Sequence, residues 1–316
     1  MRSRAPALWF RQTLRCLAAA CWLFSWGALP AWAEADCPAA EATPTVVADP
    51  ATPFGTGLLW EVQADEAPPS FVYGTIHLAD PLLAAPSAAA LAALRQSSQF
   101  ALEVLFDTET LLRVGASMRA APGKGLGDAA SPALLKRVLP LLATYGVDAA
   151  AARQLKPWAV WTTLSLPPSQ ASGGEPLDLR LLSLARAAGM RAFGLETLEE
   201  QVAVFDALSL QEQLALLEDA ACHYGAQQAA LAQAVAAWQR EDLAWLLAQG
   251  QAGGSQAADA LGRRLLDERN VTLAERLLPK LRAGGVFVAV GAAHLPGREG
   301  LLARFERAGL TVRRVR

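Results

Sequence analysis

The sequence predicts an α/β (α+β) fold, in which two β-Gly-x-x-His elements build a central mixed sheet around a helical middle. Three observations support it. Strand-like runs gather towards the ends of the folding region, at 57–63, 71–77 and 286–291. Residues between about 107 and 282 carry mainly helical periodicity, and strand-rich ends around a helical middle indicate a layered α/β arrangement. The stretches "FVYGTIHLAD" (71–80) and "VFVAVGAAHLPG" (286–297) share one plan: an apolar run, a glycine, two further residues and a histidine.

The elements follow in order. Arg2, Arg4, Arg11 and Arg15 precede an apolar run from Cys16 to Leu29, and Ala31-Trp32-Ala33 supplies small residues for cleavage; no acid occurs before Glu34. Residues 1–33 therefore read as a signal peptide, too short in its apolar part to span a bilayer at about 20 residues. Residues 34–56, rich in Ala, Pro and Thr, read as a surface lead-in, and 57–316 as the folded domain. "GLLWEVQ" and "FVYGTIH" are strands at hairpin-like separation. "SAAALAALRQS" is a helix capped by Ser87, and "QFALEVL" a buried strand holding Glu103. A helix starts at Pro157, and "EPLDLRLLSLARAAGM" is an amphipathic helix closed by Gly189. "RAFGLETLEEQ" gives a short strand, a glycine and a helix start. Helices fill 209–249, "GQAGGSQ" breaks them, and one long helix runs to about Arg282. Gly284-Gly285 opens the strand 286–291, and "GREGLLARFERAGLTVRRV" ends the chain with a helix and a strand.

Charge and cysteine content limit the function. Loss of the four leader arginines takes the 28 basic residues to 28 − 4 = 24, against 30 acids, so a nucleic-acid partner is not expected. No later segment is apolar enough to cross a membrane. Cys37 and Cys222 remain beyond the leader, and in an oxidising compartment they are expected to form a disulfide.

The chemistry gathers at four residues. Histidines that follow a strand and a glycine project past the strand end, where ligands collect in open α/β sheets. His77 and His294 share this setting, whereas the third histidine, His223, lies in helical "ACHYGAQ" and reads as structural. Glu103 interrupts an apolar strand, which is costly without a nearby cation or donors. Glu196 follows Gly194 at another strand end. Together they form a mixed nitrogen and oxygen set suited to zinc, manganese or cobalt. No zincin pair, Gly-x-Ser-x-Gly elbow, phosphate loop or dinucleotide fingerprint is present.

"YGTIHLAD", "ALEVL", "LKPWAV", "AFGLETLEEQ", "DERNVTLAERL" and "VAVGAAHLPGREGLL" occur in the order and approximate spacing of the TraB/GumN family, which includes the Tiki proteins. The chain resembles that family from about residue 57 to 316. The resemblance implies an erythromycin-esterase/ChaN-like α/β fold and, by way of the Tiki members, a metal-dependent peptidase. It puts His77 and His294 on the paired histidines, Glu103 on the acid after the first motif, Glu196 on the glutamate of "GLET", and Arg269 and Asn270 on an Arg-Asn pair that lines the site. The second motif is Gly-Ala-Ala-His here, where many members have Gly-Ala-Gly-His.

The sequence thus leads to an exported, periplasmic or extracellular, metal-dependent hydrolase acting on a peptide or small-molecule substrate. In this reading His77, His294 and Glu103 are ligands of a divalent ion (Zn, Mn or Co); His77, Glu103 and Glu196 act in catalysis, and Arg269 and Asn270 bind substrate. Two other readings are a metal-independent His/Glu esterase-like hydrolase and a non-catalytic protein binding haem or a peptide.

Overall fold

The structure is a computed structural model, and it describes Cys37 and residues 46–79, 83, 85–105, 108–169, 174–251 and 256–316. The signal peptide expected over 1–33 lies outside the described residues. A six-stranded mixed sheet forms the centre, in the order β4-β3-β5-β2-β1-β6. The strands are β1 (Leu59–Gln63), β2 (Ser70–Thr75), β3 (Gln99–Leu102), β4 (Arg191–Gly194), β5 (Val286–Gly291) and β6 (Thr311–Arg314). This is the expected α/β architecture, and the two β-Gly-x-x-His strands, β2 and β5, are direct parallel neighbours.

Composition explains the positions. "VFVAVG" and "SFVYGT" are buried along their whole length, as interior strands covered on both faces must be. β1 pairs antiparallel with β2 and with β6, closing one side. On the other side β5, β3 and β4 run parallel to β2. Register places Thr75 opposite Gly291, and Leu102 opposite both Ala289 and Gly194. Four chain segments therefore leave the sheet along one carboxyl edge.

Two expectations need correction. β3 ends at Leu102, so Glu103 lies just beyond the strand rather than inside it. Gly74 does not end β2 but lies within it, where a Cβ would come within 2.9 Å of Leu295 Cδ1 and 3.1 Å of Ala292 Cα. The glycine therefore admits the close passage of the turn that follows β5. Trp238, on the helix Tyr224–Gln239, holds this crossing by donating its indole N–H to Gly74 O at 3.0 Å.

Helices cover the sheet and extend into a second apolar cluster built from Leu134, Leu142, Val160, Leu164 and Leu217. Ser87 caps the helix Ala88–Gln96, and Pro157 opens Pro157–Leu164, both as read from the sequence. The expected long helix ending near Arg282 is in fact Gln256–Arg263, a π-helical turn Arg264–Glu268, and Arg269–Ala283. Cys37 and Cys222 form the expected disulfide, with Cα atoms 5.5 Å apart. Among the described residues no helix is long and apolar enough to cross a membrane.

Candidate active site

The carboxyl edge brings together the four residues singled out in the sequence. His77 lies two positions beyond β2, Glu103 one beyond β3, Glu196 two beyond β4, and His294 ends the short 3₁₀ turn after β5. Because β5 lies between β3 and β2, Glu103 and His77 approach across Gly291. His77 Nε2 is 3.6 Å and His294 Nε2 is 3.9 Å from the same atom, Glu103 Oε1. The two nitrogens can be no further apart than those two lengths laid end to end. A Cβ on Gly291 would stand 2.9 Å from His77 Nε2 and 3.4 Å from Glu103 Oε1, so the missing side chain leaves the space where the three groups meet.

Each imidazole is held by its other nitrogen. His77 Nδ1 lies 2.9 Å from Asp178 Oδ2, and the second oxygen of Asp178 accepts from the Thr75 hydroxyl. Asp178 is buried in the first turn of the helix Leu177–Ala187. Asn270 Nδ2 donates to His294 O at 3.4 Å and to Glu299 O at 3.0 Å, so its Oδ1 must be the acceptor for His294 Nδ1, 2.7 Å away. The proton of His294 is thereby placed on Nδ1, and Nε2 is left as the acceptor facing the site.

Glu103 and Glu196 are 7% and 8% exposed, and one guanidinium serves both. Arg269 Nη2 donates to Glu103 Oε2 and to Glu196 Oε2, each at 2.6 Å, and Nε lies 3.0–3.1 Å from the Glu196 carboxylate. Arg269 Nη1 caps Leu265 O at 3.1 Å and faces His294 Nε2 at 3.4 Å. Gln201 donates to Glu196 at 3.2 Å, and the Gly291 amide to Glu103 Oε1 at 2.7 Å. The π turn just before Arg269 offsets the helix there, a feature common where side chains must be re-aimed at a site.

The electrostatics follow from these contacts. Asp178, with a smaller contribution from Glu103, holds the His77 imidazole well above its ordinary value, although 57% of that side chain is open to solvent. Burial alone would raise Glu103, but the surrounding His294, His77 and Arg269 hold it well below the usual carboxylate range. Burial pushes His294 down to about 4, helped by the nearby Arg269, so this ring is neutral at physiological pH. Burial opposes the Arg269 charge, and Glu196 and Glu103 more than offset that cost.

A model of the TraB/PrgY/gumN family matches residues 58–314. The chain belongs to that family. Searches of curated proteins and of solved structures found no match. His77, Glu103, Glu196, Arg269, Asn270 and His294 lie together at this edge of the sheet. The contacts of two of them differ from expectation. Arg269 is engaged with both glutamates, and Asn270 is buried beneath His294. Asp178, Thr75 and Gln201 are site residues that the sequence reading passed over.

Ligand-type donors converge, but not to coordinating distance. Among the described residues no group of three or more His, Cys, Asp or Glu side chains has metal-holding geometry. The edge between two ligands of a tetrahedral ion at ~2.1 Å is ~3.4 Å, so the observed 3.6 and 3.9 Å exceed it by a few tenths of an ångström. Both histidines also have the second-nitrogen partner that orients metal-binding imidazoles. The donor types and ring orientations are those a divalent ion would use, whereas the distances are not.

Proposed function

We propose that this carboxyl-edge site hydrolyses a peptide bond with the help of a divalent zinc, manganese or cobalt ion held by His77, His294 and Glu103. The observation that supports it is the convergence of two Nε2 atoms on Glu103 Oε1, each ring fixed through Nδ1. When bound, such an ion polarises the scissile carbonyl and acidifies water. The chain's own residues supply the rest. Asp178 and Asn270 hold the rings in their working tautomers. Glu103 presents Oε1 to the space beside Gly291, either as a ligand of the ion or as the base that takes the proton of the attacking water, one role excluding the other at that oxygen. Arg269 keeps Glu103 ionised and in place, and Glu196 with Gln201 positions Arg269.

A metal-independent reading rests on a different observation. Arg269 already neutralises Glu103, and the half-exposed His77 with Asp178 behind it is a general acid–base pair in its own right. A panel of peptide and ester substrates assayed with added Mn, Co or Zn, and again with chelator, separates the two. Activity that chelator abolishes, metal restores and His77→Ala removes supports the metal-dependent reading. Chelator-resistant activity supports the second, and no activity in any condition rejects both.

The leader-like residues 1–33 and the Cys37–Cys222 bond support export to an oxidising compartment. Detection of mature protein beginning near Glu34 in the periplasmic or extracellular fraction tests this.

A further inference from the structure

Beside the site, an open cleft of about 470 Å³ runs between the helix Leu198–Asp206 and the π turn Arg264–Glu268. Its inner wall is Glu196 and Arg269, so it adjoins the residues already described. The charges along it are unevenly matched. Glu196 is taken by Arg269 and Gln201, and Glu200 by Arg276 at 2.6–2.8 Å. Arg264 lines the same cleft, and its Nη1 is buried with no hydrogen-bond partner among the described residues. Glu268 in the cleft and Glu212 do not supply one. Glu268 is exposed, and Glu212, though close enough to feel the Arg264 charge, accepts from the Ser209 amide at 2.7 Å. Neither forms an ion pair with Arg264 among the described residues.

A buried guanidinium donor without an acceptor costs stability, and such a group calls for an explanation in a folded protein. Arginine is also the side chain best shaped to receive a carboxylate through two parallel hydrogen bonds. We propose that Arg264 receives a carboxylate of the substrate, so that the cleft selects peptides with a free carboxyl end beside the bond at the His77–Glu103 centre. This rests on the hydrolytic reading for the word substrate, but its test does not.

The probes are N-acetyl-alanyl-alanine and the same compound with a carboxamide end, titrated by calorimetry into wild-type protein and into Arg264→Met. The expected result is binding of the free acid about tenfold or more tightly than the amide by wild type, and equal binding of both by Arg264→Met. Arg264→Met should also melt at the same temperature as wild type or higher, because an unmet buried donor is removed. Equal binding by wild type, binding of neither compound at 10 mM (on the order of the weakest binding worth the name), a preference retained in Arg264→Met, or a lower melting temperature in that variant would each overturn the proposal. The titrations are made with chelator present and the probe is checked intact afterwards, so binding is read apart from turnover; failure of hydrolysis leaves this result standing, and the converse holds too.

Discussion

Replacing Arg269 by Gln removes the one guanidinium that lies between two buried carboxylates. The Arg269 side chain is 13% exposed and those of Glu103 and Glu196 are 9% and 4%, so water cannot replace the lost donors. Removing one partner of a buried ion pair costs about 3–5 kcal/mol, chiefly because a buried charge is left uncompensated. For a domain of this size that corresponds to about 6–10 °C in Tm, at ~2 °C per kcal/mol. Calorimetric or circular-dichroism melting of Arg269→Gln, Glu196→Gln and the double variant measures it. The double variant should be less destabilised than the sum of the singles, by about 1–3 kcal/mol. A loss under about 1 kcal/mol for Arg269→Gln, or strict additivity, would refute the shared-guanidinium arrangement.

Gly291→Ala should fold close to wild type, since φ at this residue is −53°, yet its methyl would stand 2.9 Å from His77 Nε2; hydrolysis is expected to fall by about 100-fold with Tm nearly unchanged. Asp178→Asn keeps the shape but weakens the hold on His77 Nδ1, and should lower metal affinity or turnover by about 10–100-fold in calorimetric or rate measurements. Trp238→Phe deletes the donor to Gly74 O and should cost about 1 kcal/mol in denaturant unfolding. Reduction of the Cys37–Cys222 bond, or its replacement by serines, should lower stability by about 2–5 kcal/mol while leaving hydrolysis intact, because neither cysteine is a site residue.

The most legible part of the site was the pair of histidines. Gly-x-x-His after an apolar run marks a strand end, and one glance at spacing shows that His77 and His294 repeat it. Glu103 stood out because a carboxylate in an apolar run needs a partner, and Glu196 because it follows a glycine at a strand end; Arg269 proves to be the partner of both. The role of Arg269 was less accessible, since a family position that lines a site does not reveal which way its charge is used. Asp178 gave no usable signal: an acid in the first turn of "PLDLRLL" is already accounted for by the helix dipole, although here it turns inward to His77 and Thr75. The π turn before Arg269 was hidden for another reason. None of its residues is buried, so the sequence there carries no apolar period from which an inserted residue could be read. β3 was overextended to residue 105 because Val104 and Leu105 continue its apolar run, whereas Glu103 turns away to Arg269 and the Gly291 amide.

The proposed hydrolysis depends most directly on His77, His294 and Glu103 acting as one centre. Metal-stripped protein titrated with Zn, Mn or Co by calorimetry should bind about one ion per chain, and His77→Ala, His294→Ala and Glu103→Gln should each abolish that binding. Binding that survives in any two of these variants, or no binding by the wild-type protein, would contradict it.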